Sequence, residues 1–246
     1  MKTRAAVLHE MGAKKPYKES KPLKIEYLEL DNPSEHEVLI KIHAAGLCHS
    51  DLSVINGNRP RPLPMALGHE ASGEVIKVGK AVTRVSEGDH VVCTFIPSCG
   101  KCIPCKEGRP ALCENGAISN EKGEMLEGGV RLSNDEGKVY HHLGISGFAE
   151  YSVVSENSIV KIDKKIPFER AAAFGCAIIT GIGAVVNTAQ IRSGSNVAVV
   201  GLGGIGLNAI IGAKLAGANE IIALDINEDK FELAKQFGAT ATFNSS

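Results

Sequence analysis

The chain has 246 residues, 43% hydrophobic and 22% charged, an ordinary soluble globular composition that can bury one large or two moderate cores. Its 27 Lys plus Arg stand against 28 Asp plus Glu, and a formal net charge of -1 supplies no basic field for nucleic acid or an anionic membrane, so neither is expected as a partner. No apolar run is long enough to span a bilayer, and the first ten residues carry charges but no apolar signal core, so a cytoplasmic protein with reduced thiols is expected.

Residues 1 to about 165 read as short strands and turns. The β-rich runs Arg4–Leu8, Lys24–Leu28, Val38–Ile42, Gly73–Val78 and His90–Cys93 are bounded by Gly, Pro, Asn or a polar turn such as Ser86-Glu87-Gly88-Asp89. Arg59-Pro60-Arg61-Pro62-Leu63-Pro64 is too rich in proline for a regular element and is expected to be an exposed loop. From Pro167 the composition turns to Ala, Ile and Gly, which predicts a helix over Glu169–Val186 joining two domains, 1–177 and 178–246. Beyond it, Asn196–Val200, a glycine turn, an apolar helix to about Ala218 and Glu220–Asp225 form a βαβ unit. A second helix follows, capped by Asn227 and closed by Gly238, and Ala241–Asn244 begins a third strand.

Three groups of residues carry chemistry. In Gly68-His69-Glu70, a histidine and a carboxylate follow a glycine, which is poor core material; with Cys48 upstream and Cys176 far downstream, a thiolate, an imidazole and a second thiolate make the ligand set of an open catalytic zinc. Taken singly, His69 reads as a structural histidine and Cys176 as an inert thiol in a buried helix. Thr180, four residues after Cys176, would set a hydroxyl beside that thiolate if the segment is helical. Cys99, Cys102, Cys105 and Cys113 have the spacing C-x2-C-x2-C-x7-C, which points to a closed four-thiolate zinc, against free thiols, disulfides or an iron–sulfur cluster. Cys93 lies outside that set, on an apolar strand, as a buried thiol.

Gly201-Leu202-Gly203-Gly204-Ile205-Gly206 is a G-x-G-x-x-G turn that leaves a β-branched strand and enters a helix, as binding of a dinucleotide pyrophosphate at a helix N-terminus requires. Asp225, nineteen residues after Gly206, falls at the end of the next strand, where its carboxylate would hold ribose hydroxyls and repel a 2′-phosphate, favouring NAD over NADP. The competing reading is a glycine turn of a doubly wound sheet with no nucleotide.

Through Gly46-Leu47-Cys48-His49-Ser50-Asp51, Gly68-His69-Glu70, the four-cysteine lobe, Phe174-Gly175-Cys176 and Gly201–Gly206, nearly the whole chain resembles the zinc-dependent medium-chain alcohol dehydrogenase family. The resemblance implies an α/β chain with a β-rich part: a GroES-like catalytic domain followed by a partial Rossmann domain, with two zinc ions and NAD. It implies that Cys48, His69 and Cys176 bind the catalytic zinc, that Asp51 hydrogen-bonds the histidine ligand and that Glu70 stands behind the metal. It further implies that Ser50 passes the alcohol proton outward, that His49 touches the pyrophosphate, that Asp225 and Lys230 hold the adenosine ribose and that Phe95 lines the substrate pocket. Ser53 stands where liver-type members end their proton relay in a histidine, so the last relay step departs from theirs. The segment Glu114–His142 resembles the long loop of dimeric members, which implies a homodimer, with the homotetramer of short-loop members as the alternative.

The reaction expected is the reversible oxidation of an alcohol to an aldehyde or ketone, with hydride passed to NAD. The alternatives are a zinc-free quinone reductase, which the three zinc ligands argue against, a polyol or formaldehyde-type dehydrogenase of the same superfamily, and an inactive zinc- and NAD-binding fragment. The last stays open because a doubly wound domain needs two βαβαβ halves and only the first is found here, so a polypeptide roughly 100 residues longer is expected.

Overall fold

The computed structural model describes all 246 residues, which group into two compact units, Met1–Gly175 and Cys176–Ser246. In the first unit the alternating apolar runs become ten strands: β1 (Lys2–Leu8), β2 (Leu23–Leu30), β3 (Glu37–Gly46), β4 (Met65–Ala66), β5 (Glu70–Val78), β6 (His90–Cys93), β7 (Leu132–Asn134), β8 (Gly137–His141), β9 (Tyr151–Ser155) and β10 (Ile159–Ile162). Strands β1-β2-β7-β8-β4 close into a barrel, and β10-β6-β5-β3-β9 form a five-stranded sheet. Val7, Leu28, Leu30, Leu132 and Val139 fill the barrel, while Val38, Ile40, Val75, Val91 and Val154 cluster on the sheet. Each such side chain contributes roughly 1.5–3 kcal/mol by leaving water.

The long pair β3 and β5 positions the chemistry. They run antiparallel with Gly46 opposite Glu70, so Cys48, just past the end of β3, is brought beside His69, just before the start of β5. The register shifts between Leu39 and Ile40 and again between Ile42 and Ala44, and such bulges bend a strand and redirect its end. The segment before His69 is clamped from both sides: Leu67 N–H donates to Ala6 O at 3.1 Å, Phe148 N–H to Leu67 O at 2.9 Å and Gly147 N–H to Gly68 O at 2.9 Å.

Two expectations change here. The proline-rich stretch is exposed only at Arg59 and Pro60; residues 61–64 are half-buried, with Pro62 against Gly123 at the end of the helix Glu114–Lys122 and Leu63 packed on the Leu8, Val54 and Leu67 cluster. The single helix expected from Glu169 is interrupted. Phe168–Ala171 is α-helical and Ala172–Gly175 is a 3-10 turn; Cys176 has φ -145° and ψ -73°, and a new helix begins at Ala177. An α-helix requires φ near -63°, so Cys176 cannot continue one.

The second unit holds parallel strands β11 (Asn196–Val200), β12 (Glu220–Asp225) and β13 (Ala241–Asn244) in that order, with β11 at an edge and Val200 exposed. The helices Gly204–Leu215 and Phe231–Phe237 cover a core of Val199, Leu202, Ile210, Ile221 and Ala234. No single helix of the chain is long and apolar enough to cross a membrane.

Gly68 has φ +91°, and a Cβ there would collide with the backbone nitrogen of Phe148. Gly68→Ala is therefore expected to cost roughly 2 kcal/mol or more, from strain and collision together. A denaturation midpoint equal to that of the parent chain would contradict this packing.

Candidate metal and cofactor sites

The loop that leaves β3 enters the helix His49–Ile55 with Cys48 as its N-cap, and Asp51 closes the capping box by accepting from Cys48 N–H at 3.2 Å. The same buried carboxylate reaches the β5 side, where its Oδ1 accepts from Gly68 N–H at 3.1 Å and lies 3.3 Å from His69 Nδ1. One side chain thus ties the Cys48 turn to the His69 turn. Donor atoms of Cys48, His69 and Glu70 lie within 4.8 Å of one another, and His69 and Glu70 are buried. Glu70 crosses directly over Gly46, whose missing side chain leaves room for its carboxylate.

Burial alone would lower the His69 pKa, but Asp51 and then Cys48 reverse this and raise it to about 9. Asp51 is held below the ordinary carboxylate range: burial opposes this, and His142 and His69 outweigh it. With Nδ1 committed to Asp51, His69 keeps Nε2 for a metal. That is the usual arrangement of a ligating histidine, whose second nitrogen is fixed by a carboxylate. These residues fit a zinc ion. Cys176 is the next residue after Gly175, the end of the first unit; it is buried, and its carbonyl accepts from Thr180 N–H at 2.9 Å, so the two residues lie one helical turn apart.

One neighbour was not singled out from the sequence alone. His142 is fully buried and its Nδ1 lies 3.0 Å from Asp51 Oδ1. The His69 ring also meets Phe95 edge-on, with centroids 6.0 Å apart. Ser50 is half-buried on the helix that carries Asp51. Ser53 donates to the His49 carbonyl at 3.0 Å and lies 3.4 Å from His49 Nδ1, so the residue that departs from the liver-type pattern is spent on its own helix.

The sulfurs of Cys99, Cys102, Cys105 and Cys113 also gather within 4.8 Å. Backbone amides surround them: Cys113 Sγ accepts from Cys99 N–H at 3.2 Å and Gly116 N–H at 3.3 Å, and Cys99 Sγ from Cys102 N–H at 3.4 Å. Backbone donors, Lys101 first, lower the Cys99 thiol to about 6, whereas burial and the neighbouring thiols push Cys105 up to about 12. Four such sulfurs can all be thiolates only when a cation compensates them, which fits a closed zinc site.

In the second unit, Gly201 takes φ +91° at the turn, and Gly206 packs against the Gly201 carbonyl, where a Cβ would not fit. Gly203, the N-cap of the twelve-residue helix, has open space where its side chain would be, as an approaching pyrophosphate needs. Gly204 and Ile205 form the first turn of that helix, and Ile205 is exposed. Asp225 accepts from Leu202 N–H at 2.7 Å, Asn227 N–H at 2.9 Å and Lys230 Nζ at 2.9 Å. The first two set its position, and the donors together lower its pKa to about 2, Leu202 most and Lys230 next. The residues fit a dinucleotide.

Comparison with known proteins agrees with this geometry. Residues 34–164 match the family described as Alcohol dehydrogenase GroES-like domain, and residues 204–246 match Zinc-binding dehydrogenase. The S-(hydroxymethyl)glutathione dehydrogenase of Synechocystis sp. is 45% identical over 245 residues, which cover 99% of this chain and 64% of that protein. Alcohol dehydrogenase class-3 of Drosophila melanogaster is 47% identical over 225 residues, 91% of this chain and 59% of its own. The crystal structure of benzyl alcohol dehydrogenase from Acinetobacter calcoaceticus superposes with a TM-score of 0.90 at 39% identity, covering 100% of this chain and 64% of that one. The chain thus spans about three fifths of the length of the curated relatives it matches. With Cys48, His69 and the four-cysteine stretch lying inside a family match that covers more than half of it, the chain belongs to the zinc-dependent medium-chain alcohol dehydrogenase family.

Proposed function

We propose that this chain carries the zinc sites and the first cofactor-binding elements of an enzyme that transfers a hydride between an alcohol and NAD. The observation that supports this most is the state of His69: buried, with Nδ1 fixed by Asp51 and Nε2 left as the ligating nitrogen beside Cys48. In this reading Cys176 completes the ligand set, and Cys99, Cys102, Cys105 and Cys113 hold a second, structural zinc. Zinc held by Cys48, His69 and Cys176 would supply Lewis acidity that lowers the pKa of an alcohol at the remaining position. Asp51 and Glu70 orient the ligands, Ser50 takes the alcohol proton outward, Thr180 sets a hydroxyl beside Cys176, and Phe95 walls the substrate side. Asp225 and Lys230 hold the adenosine ribose, with the Gly201–Gly206 turn and His49 at the pyrophosphate.

The relatives named for S-(hydroxymethyl)glutathione and benzyl alcohol both act on a CH2OH group, which favours primary alcohols here. The long Glu114–His142 segment favours a homodimer.

Replacing His69 by Ala is expected to lower NAD reduction by roughly a thousandfold or more, about 4 kcal/mol, while NAD binding measured by fluorescence titration stays within a few-fold. Near-parental turnover in that variant would remove the metal mechanism. Asp225→Ser is expected to narrow the preference for NAD over NADP by roughly 10- to 100-fold, since the carboxylate repels a 2′-phosphate. Equal affinity of the parent chain for both cofactors would overturn the assignment of Asp225 to the ribose.

A further inference from the structure

His141 and His142 are adjacent, both fully buried, and differ in their partners. His141 is satisfied by the scaffold: Nε2 accepts from Arg131 N–H at 3.0 Å, and Nδ1 lies 3.1 Å from Ser146 Oγ. Burial, with the Arg131 charge, lowers its pKa to about 3, and it packs as a neutral ring. The Nδ1 of His142 lies 3.0 Å from Asp51 Oδ1, a contact close in distance but off-axis for a full hydrogen bond, and its Nε2 has no hydrogen-bond partner. Buried polar atoms are normally paired, so a histidine kept in this state calls for an explanation.

The loop around it is built to hold that ring. Leu143 and Ser146 both adopt left-handed backbone, with φ of 54° and 53°. A bulky residue such as leucine persists there only when its surroundings force it. They do so here: His142 N–H donates to Ala66 O at 3.2 Å, and the His142 carbonyl accepts from Ile145 N–H at 3.1 Å and Ser146 N–H at 3.3 Å. The His142 ring stands edge-on to His69, with centroids 5.3 Å apart and an interplanar angle of 88°. Asp51 Oδ1 is therefore shared by Gly68 N–H, His69 and His142, and His142 approaches it more closely than His69 does.

We infer that His142 is a positioning residue for the catalytic metal site: it holds the Asp51 carboxylate at Oδ1, the oxygen that does not accept from Cys48 N–H, and through Asp51 it holds His69 in the orientation that leaves Nε2 to the metal. The inference rests on the zinc reading of Cys48, His69 and Cys176, and its action runs entirely through Asp51.

Cobalt(II) titration of the full chain tests it, with the His69-dependent ligand-field bands defined by difference from His69→Ala and the four-cysteine site serving as an internal standard. His142→Phe keeps the ring and its packing but removes both nitrogens; His142→Gln keeps a polar N–H donor. The phenylalanine variant is expected to bind the His69-dependent cobalt roughly tenfold more weakly, with altered bands, and the glutamine variant within about threefold of the parent. In an Asp51→Asn background, His142→Phe is expected to cost nothing further, because residues that act as one unit are not additive. Parental affinity and bands in His142→Phe, equal loss in both variants, or full additivity with Asp51→Asn would each overturn the role of His142. A parent chain with no His69-dependent cobalt would overturn the zinc reading itself, and this inference with it. If His142→Phe lowers the thermal midpoint and empties the four-cysteine site as well, the comparison of His142→Gln with the parent decides: loss beyond threefold overturns the role, and retention supports it.

Discussion

The first unit depends on one buried negative charge. Asp51 could not stay ionised away from water without compensation, and the groups that compensate it come from three places in the chain: Cys48 N–H at the start of its own helix, Gly68 N–H and His69 before β5, and the close, off-axis ring of His142 after β8. Each of these groups stabilises the carboxylate, and the carboxylate in turn fixes each of them, so the turns that bear Cys48 and His69 are tied together by a charge as well as by backbone bonds and packing. Leaving that charge without a partner would cost several kcal/mol, far more than the loss of a neutral hydrogen bond. The β3 and β5 ladder brings the turns near, and Asp51 sets their final geometry.

The two cysteine-containing sites use different means for different ends. Around Cys99 to Cys113, backbone amides point at sulfur, every ligand comes from one short stretch, and four thiolates would leave a metal no free position. Around His69, the candidate ligands come from distant stretches, and the Asp51 carboxylate meets the His69 ring. A site that must keep one position open cannot fill it with a fourth tight ligand, so rigidity has to come from groups behind the ligands. The Asp51 network has that place in the first unit, and Asp225, fixed by two backbone amides, has a comparable place in the second.

Much of this was legible in the residues. The β-rich half, the βαβ unit, the cysteine spacing and the glycine turn announce themselves by period and spacing, because local backbone chemistry produces them. Asp51 and Asp225 were also legible, though only through a family resemblance for the first and a counted interval for the second. What was hidden is tertiary. His142 sits in Val139-Tyr140-His141-His142-Leu143, where nothing local separates a packed histidine from one that faces a carboxylate 91 positions earlier. Nothing local marks Arg131, yet its guanidinium pairs with buried Glu37 at 2.7 and 2.8 Å. The helix break at Cys176 was missed because the apolar run on both sides reads as one helix, although Gly175, which lies against the Cys93 carbonyl where no side chain would fit, could have marked a stop.

The central claim is that Asp51 holds His69 as a ligand of a metal distinct from the four-cysteine one. Zinc X-ray absorption on the purified chain, with the metal counted in the same sample, tests it most directly. Two zinc ions per chain, with an average shell that contains an imidazole nitrogen at about 2.0–2.1 Å besides sulfur at about 2.3 Å, is the expected result. One zinc per chain in an all-sulfur shell would contradict it.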